Sequence, residues 1–479
     1  MPSRSTPGSK AIPGCVVLAS QPGRFPWMPG VPRFAWLLSK EFRELLASRA
    51  FWLLLLMIGP LAGHGFITAV DIYAEASGIH GGPAALSQGL SPLDGMLVPT
   101  FGAYDLAVTL LFPFVAIRLI SAEKASGAWK LMLQSPASVA AMLAAKCIAL
   151  LAGWLLAWTP GFAALVLWKL YGGSLYAPEV LNLLLGHLLR VVLSAGVAVA
   201  AAAIATGAAS AAIATLGFIV GTWALDFIAA GRGGWLQKLA SYTPASGLRI
   251  FEQGLLRGST VAVTLTLGIA GFALAGIWLT EGRRLSTRLV RSAGLALLLA
   301  LTLWGGSLLR GTWDVSENRR NSFPVADEAA LRQIRQPLAV TVFLSPEDPR
   351  LMDLDRNILG KLSRILPAVN VTYAAHTRSG LFEAAGDHYG EVWYHLAGRQ
   401  AMSRSTTEPI VLDTLYQLAR VPPPVRAETG SVTAAGEFPA WRTAGHPLAV
   451  EPRGAAWLYY ALWPLAVVAA GWMYFRIRS

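Results

Sequence analysis

The sequence predicts a polytopic α-helical membrane protein of about eight transmembrane helices with a small extracytoplasmic α/β domain. Three observations carry this reading. Apolar residues make up 54% of the 479 and charged residues 14%, with a mean hydropathy of +0.50, against roughly 25% charged in soluble proteins. Eight segments reach the roughly 20 mostly apolar residues that cross a bilayer. The charges are also segregated: residues 313–453 hold 15 Lys/Arg and 16 Asp/Glu, and the remainder 24 and 11. This excludes an ordinary cytosolic enzyme. It also excludes a nucleic-acid binder, whose basic groups would share one soluble face.

Residues 1–35 read as a disordered basic tail. Ile12-Pro13-Gly14-Cys15 has the outline of a lipoprotein box, but no apolar run precedes it, which argues against a lipoprotein or cleavable signal. The only other cysteine, Cys147, lies in an apolar run, so no intrachain disulfide is expected. Next, Leu38, Phe42, Leu45 and Leu46 form one apolar face, with Lys40, Glu41, Arg43 and Glu44 opposite, the pattern of an interfacial amphipathic helix. The spans are expected at 51–70, 100–120, 144–170, 180–206, 211–230, 261–280, 293–309 and 455–475.

Short-loop Lys and Arg set the orientation. Lys40, Arg43 and Arg49; Arg118, Lys124, Lys130 and Lys146; Arg283, Arg284, Arg288 and Arg291; and Arg476 and Arg478 all fall on one side of an eight-span chain. That side is expected to be cytoplasmic, with both termini there and the positive surface facing anionic lipid. The chain is then a multi-pass protein of a bacterial inner membrane with residues 313–453 periplasmic. One loop runs against the rule: 230–260, expected outside, carries Arg232, Lys238, Arg249 and Arg257.

Within the hydrophilic block, 338–344, 369–373 and 390–396 have strand composition, and 326–334 and 351–366 have helical patterns. Strands alternating with helices predict a small α/β unit. Residues 421–453, with Pro422-Pro423-Pro424 and few long apolar runs, read as a linker back to the membrane.

Nothing in the sequence points to catalysis. Gly254-Leu-Leu-Arg-Gly258-Ser-Thr lacks the spacing and the lysine of a phosphate loop. The seven histidines include no i, i+4 pair; His388 and His395 are read as loop and strand-end residues, not metal ligands. The informative stretch is 118–146. It reads as a polar helix leaving a span, loosened at Gly127, after which Ser135 caps the next helix with Pro136 at its first position. An ordinary charged loop would need positive residues but no such order.

The pattern Arg118-x4-Glu123-Lys124-x2-Gly127-x3-Leu131-x-Leu133-x-Ser135-Pro136-x-Ser138-x7-Lys146 resembles permease subunits of type-2 ABC exporters, in the gliding-motility and nitrous-oxide-reductase-maturation branch. The resemblance spans about residues 36–284. There the amphipathic helix is similar to the family's elbow helix, and 239–254 to its re-entrant outer segment. Trp313-Asp314-Val315-Ser316-Glu317, 338–344 and Tyr389-Gly390 are similar to the auxiliary subunit of gliding-motility systems. Here that part is fused behind the permease and stops near Arg420. The resemblance implies a six-helix permease core (36–284), a seventh helix (285–312), an auxiliary domain (313–420) and a C-terminal span (454–479). It implies a permease dimer that recruits a separate ATP-binding subunit. ATP and magnesium would sit on that subunit, with no cofactor on this chain and no nucleic-acid partner. Arg118, Glu123, Lys124, Gly127, Ser135, Pro136, Ser138 and Lys146 would couple to the ATPase. Two other readings stand beside it: an ATP-driven mechanochemical or maturation scaffold acting on a periplasmic partner, and a polytopic membrane enzyme, for which no constellation is seen.

Ionisable residues inside spans are costly and face cavities or one another. Asp105, His187, Arg190 and Asp226 all fall at roughly 6 to 15 Å from the outer surface at about 1.5 Å per residue. They either form a shared polar cluster, with Arg190 the cation for Asp105 or Asp226, or each snorkels separately to the outer interface.

Overall fold

A computed structural model describes residues 33–76, 91–229, 235–309, 311–345, 348–374, 388–424 and 453–478. The tail, most of the linker and parts of several loops assigned above lie outside them.

Among the described residues, eight helices are long and apolar enough to cross a membrane. A short helix α1 (Arg33–Leu46) precedes α2 (Arg49–Ala76). The second span, Leu93–Ser126, begins about two turns before the expected 100. Ser91 Oγ accepts the Asp94 N–H at 3.2 Å, and a π-helical turn, Leu93–Leu97, with buried Leu93, Met96 and Leu97, leads into α3 (Val98–Ser126). After α4 (Ala128–Leu133), the third span is α5 (Val139–Ala157) and α6 (Thr159–Leu170), broken at Trp158 by Pro160. Then come α7 (Ala177–Ile204), α8 (Ala208–Ala229), the short α9 (Trp235–Ala240) and α10 (Pro244–Glu252), α11 (Gly258–Leu279) and α12 (Leu285–Ser307). The last span is Gly454–Ile477.

Small residues set the closest helix contacts, as expected where lipid offers no hydrophobic driving force between helices. Gly59 and Gly63, one turn apart on α2, receive Trp463 and Tyr459 of the last span; a Cβ at either would overlap those rings. Trp463 Nε1 donates to the Leu55 carbonyl at 2.7 Å, and Tyr459 Oη to that of Pro160 at 2.9 Å. Gly196 of α7 meets Gly268 of α11 backbone to backbone.

Lys124 near the C-terminus of α3 bonds the last carbonyls of α7, and Trp129 bonds the last carbonyl of α11. These C-termini therefore share one end of the bundle with α1 and α4, called basal here. At the other, apical end, β1 (Leu255–Arg257) pairs antiparallel with β2 (Thr312–Asp314), joining the start of α11 to the exit of α12.

Beyond β2 lies a four-stranded mixed sheet in the order β4-β3-β5-β6, formed by β3 (Leu338–Val342), β4 (Val369–Tyr373), β5 (Val392–Leu396) and β6 (Arg399–Ser403). β3 and β4 are parallel, with Leu338 opposite Val369. The crossover carries α14 (Pro349–Leu354) and α15 (Gly360–Ile365), preceded by α13 (Val325–Leu331) before β3. The β5–β6 hairpin turns at Ala397 and Gly398, both at positive φ (53° and 76°), as a two-residue primed turn requires. The sheet and α16 (Glu408–Ala419) bury their own core, including Leu331, Val340, Leu362, Tyr394 and Leu415. Strand β6 and helix α16 are absent from the sequence expectation: β6, Arg-Gln-Ala-Met-Ser, has no apolar alternation.

In this unit Asp355 accepts a hydrogen bond from Tyr373 Oη at 3.0 Å. Burial pushes its carboxyl up to about 6, the tyrosine acting the other way. A carboxyl that holds its proton more tightly folded than unfolded stabilises below the unfolded value of about 3.9, and that stability is lost as pH rises through about 6. Asp355→Asn is therefore expected to stabilise the protein by about 1 to 2 kcal/mol at neutral pH, after discounting for solvent screening, and by nothing at pH near 4. Thermal unfolding at the two pH values checks this; equal shifts at both would refute it.

Candidate functional site

Two groups of ionisable residues are drawn together, one at the basal end and one within the bundle. At the basal end, α1 lies against α3 and α5 with Leu37 and Leu45 buried. Its polar face is solvated only in part: Arg43 is exposed and Lys40 and Glu44 are half-buried, but Glu41, expected to face solvent, is fully buried. Lys146 of α5, also fully buried, bonds Glu41 at 2.7 Å, Glu123 at 2.9 Å and the Leu119 carbonyl at 3.2 Å. Lys40 bonds Glu123, Glu41 at 3.0 Å and Glu44 at 3.1 Å. Burial of this kind is tolerated only where each charge is paired. Three carboxylates face two ammonium groups. Burial and then the Glu123 carboxylate raise Glu44 above its ordinary value, with Lys40 and Lys146 opposing. Glu41, Glu44 and Glu123 have the spacing of metal ligands, but the lysines already occupy the space between them.

The expected coupling residues divide on this geometry. Glu123 and Lys146 clamp α1 to α3 and α5. Lys124 Nζ donates to the carbonyls of Ala202, Ala203 and Ala205 at 2.9, 2.9 and 2.8 Å, closing the C-terminus of α7 with a cation. Gly127, at φ +75°, ends α3 and begins α4. Beyond it, buried Trp129 donates to the Leu279 carbonyl at 3.0 Å, fixing α4 to α11. Ser135 does not cap the next helix. Its hydroxyl turns back to the Met132 carbonyl at 2.6 Å, and Pro136 lies in the turn. The cap is Ser138, whose Oγ accepts the Ala141 N–H at 3.2 Å. The reason is spacing: α5 starts at Val139, so only Ser138 is placed to reach its first free N–H groups. Arg118 is exposed on α3, as are Leu131, Ser135, Pro136 and Ser138 around the tip of α4. A groove of about 490 Å3 lined by Phe34, Trp36, Met132 and Pro136 runs beside that tip.

Within the bundle, Arg190 Nε lies 2.8 Å from Asp105, and Nε and Nη2 both donate to Thr109 Oγ1, at 3.2 and 3.0 Å. His187 Nδ1 is 3.8 Å from the same carboxylate, its ring ringed by Phe101, Tyr104 and Trp158 at 5.8, 6.1 and 5.6 Å between centroids. Trp158 reaches this position because it sits at the break between α5 and α6. Asp226 does not join: it accepts from Thr243 at 2.6 Å and Ser246 at 3.1 Å, with Arg249 at 3.9 Å. It anchors α10 to α8. The cluster is also deeper than expected, because the second and fourth spans start earlier, at Leu93 and Ala177: Asp105 and Arg190 lie roughly 18 to 20 Å along those spans at about 1.5 Å per residue.

Glu252 of α10 feels the charges of the same cluster and was not singled out in the sequence, although it stands in the 239–254 segment. Burial raises its carboxyl, with His187 and Arg190 lowering it and Asp105 adding to the rise. His187 Nε2 and Arg190 Nη1 are buried without a hydrogen-bond partner among the described residues. The space beside Arg190 measures about 10 Å3, at the lower limit for a single water.

Compared with known proteins, the chain matches no family, no curated protein and no solved structure. Its fold defines a class: a multi-pass helical membrane protein with eight candidate spans.

Proposed function

We propose that the chain is the transmembrane permease subunit of an ABC-type exporter in a bacterial inner membrane, paired with a second copy and driven by a separate ATP-binding subunit. In this reading the chain is not itself an enzyme. The observation that carries it is the build of the 118–146 stretch. Its root is clamped by Glu123, Lys146 and Trp129, while its tip exposes Leu131, Ser135 and Pro136. A rigid root with an exposed tip transmits force into the spans. Both termini are then cytoplasmic, the basal end is the cytoplasmic end, and the sheet lies in the periplasm. The exposed apolar faces of α8 and α12, with Phe227, Leu297 and Trp304 among them, are surface for lipid and for the second permease.

The test is capture of the partner ATPase. Leu131→Glu places a charge on the exposed tip and leaves the clamp intact. ATPase capture is expected to fall at least tenfold with thermal stability within about 0.5 kcal/mol of the parent. Undiminished capture would refute the docking role.

One observation favours a mechanochemical scaffold as the second reading. The sheet unit is tied to the spans by Arg356 to Asp94 at 3.1 Å, Arg320 to Glu179 at 3.4 Å and the Glu317 N–H to Glu179 at 2.7 Å. Movement of the second and fourth spans would therefore reach the unit directly. Co-purification of a periplasmic partner without solute transport would favour that reading.

A further inference from the structure

The 230–260 loop runs against the positive-inside rule, and one of its arginines has a destination in the fold. Between the α9–α10 turn, the start of α11 and the end of α15 lies a cavity of about 510 Å3. Arg257 and Arg364 line it, with the hydroxyls of Tyr242, Ser259 and Thr260, and no acidic side chain is among the lining residues; Ser363 also lines it, but its hydroxyl donates to the Gly360 carbonyl at 2.9 Å. Arg257 is exposed and has no ion-pair partner among the described residues. Arg364 donates to the Asn321 carbonyl. Burial lowers its pKa from the ordinary guanidinium value; Asp314 and Glu328 oppose this, and the nearby Arg257 adds to it. Two guanidinium groups thus repel each other at a cavity that offers no carboxylate. The first turns of the 22-residue α11 line the same space, and no side chain caps that helix. Its N-terminal partial positive charge adds to the arginines.

A cation would be repelled here, and an apolar solute would leave the hydroxyls without partners. A tetrahedral oxyanion satisfies both, because guanidinium forks pair with phosphate oxygens and hydroxyls donate to them. We propose that this cavity binds a phosphate group, presented by an anionic phospholipid headgroup or by soluble phosphate. The cavity is far larger than one phosphate and lies level with the start of a span, where headgroups sit. The inference is independent of the permease reading.

The test uses the full chain in nanodiscs. In phosphatidylcholine discs, inorganic phosphate is titrated and binding is read by thermal stabilisation. In discs that also contain phosphatidylglycerol, co-purifying phosphatidylglycerol is measured after transfer to detergent. Saturable phosphate binding in the first arm identifies the soluble source, and retained phosphatidylglycerol in the second the lipid source. Arg257→Gln is expected to weaken whichever binding is seen about tenfold. Arg249→Gln, a control away from the cavity lining, should leave it unchanged. Arg364→Lys keeps the charge but loses the fork, and should also weaken binding should Arg257→Gln fold poorly. Binding from neither source, or binding insensitive to both cavity variants, overturns the proposal.

Discussion

Lys146→Met is expected to destabilise the detergent-solubilised protein by about 3 to 5 kcal/mol, the cost of leaving a buried charge without its partner. Lys146 is fully buried and holds Glu41 and Glu123 at 2.7 and 2.9 Å. Without it, one ammonium group, Lys40, is left for three carboxylates, and Glu41 has no route to water. Lys146→Met combined with Glu41→Leu should recover most of the loss, because the double change removes an acid together with its base. Thermal unfolding of the two single variants and the double variant checks this. Losses that simply add would mean the two groups do not interact. The same geometry changes what a variant at Glu123 reports: Glu123→Lys would put a third ammonium group into the clamp, so lost ATPase capture there would reflect damaged folding. Under the proposed permease reading, Leu131 at the exposed tip is the variant that separates docking from stability.

The second large effect is expected at Arg190. Arg190→Met should cost about 3 to 5 kcal/mol, since it strands Asp105 deep in the bundle. Arg190→Met with Asp105→Asn should cost less than the sum of the two by well over 0.5 kcal/mol, the limit within which independent sites add. Arg190→Met with Asp226→Asn should be additive, because Asp226 is held by Thr243 and Ser246 of a different element. A three-variant cycle distinguishes the pairs. Coupling of Arg190 to Asp226 and not to Asp105 would contradict the observed pairing.

How much of this was legible in the sequence differs by kind of feature. The eight apolar runs stand out because crossing length and hydrophobicity are properties of a single segment. Their ends are less legible. Ser91-Pro92 is a helix-start signal, yet the acidic Asp94 next to it reads as loop until the apical ion pairs with Arg320 and Arg356 are seen. Ser135-Pro136 has the chemistry of a cap as well as Ser138, and only the start of α5 chooses between them. Asp105, His187 and Arg190 were legible as misplaced charges in apolar runs, and their similar depth suggested a meeting. Glu252 was not, because it stands in a polar stretch where a carboxylate needs no explanation.

The sequence by itself determined the number of spans, the segregation of a sheet-forming unit between the last two, and the presence of an ordered polar stretch at 118–146. Each follows from local composition and spacing, which act on a segment wherever it packs. The tertiary structure alone decided which charges meet. Lys146 and Glu41 are 105 positions apart, and Arg190 and Thr109 are 81 apart. Nothing local distinguishes Asp105 from Asp226 as the partner of Arg190. The choice is made by helix packing: α3 lies against α7, while α10 takes up Asp226. Buried charge then enforces it, because a charge in an apolar bundle is stable only where that packing delivers its counter-charge.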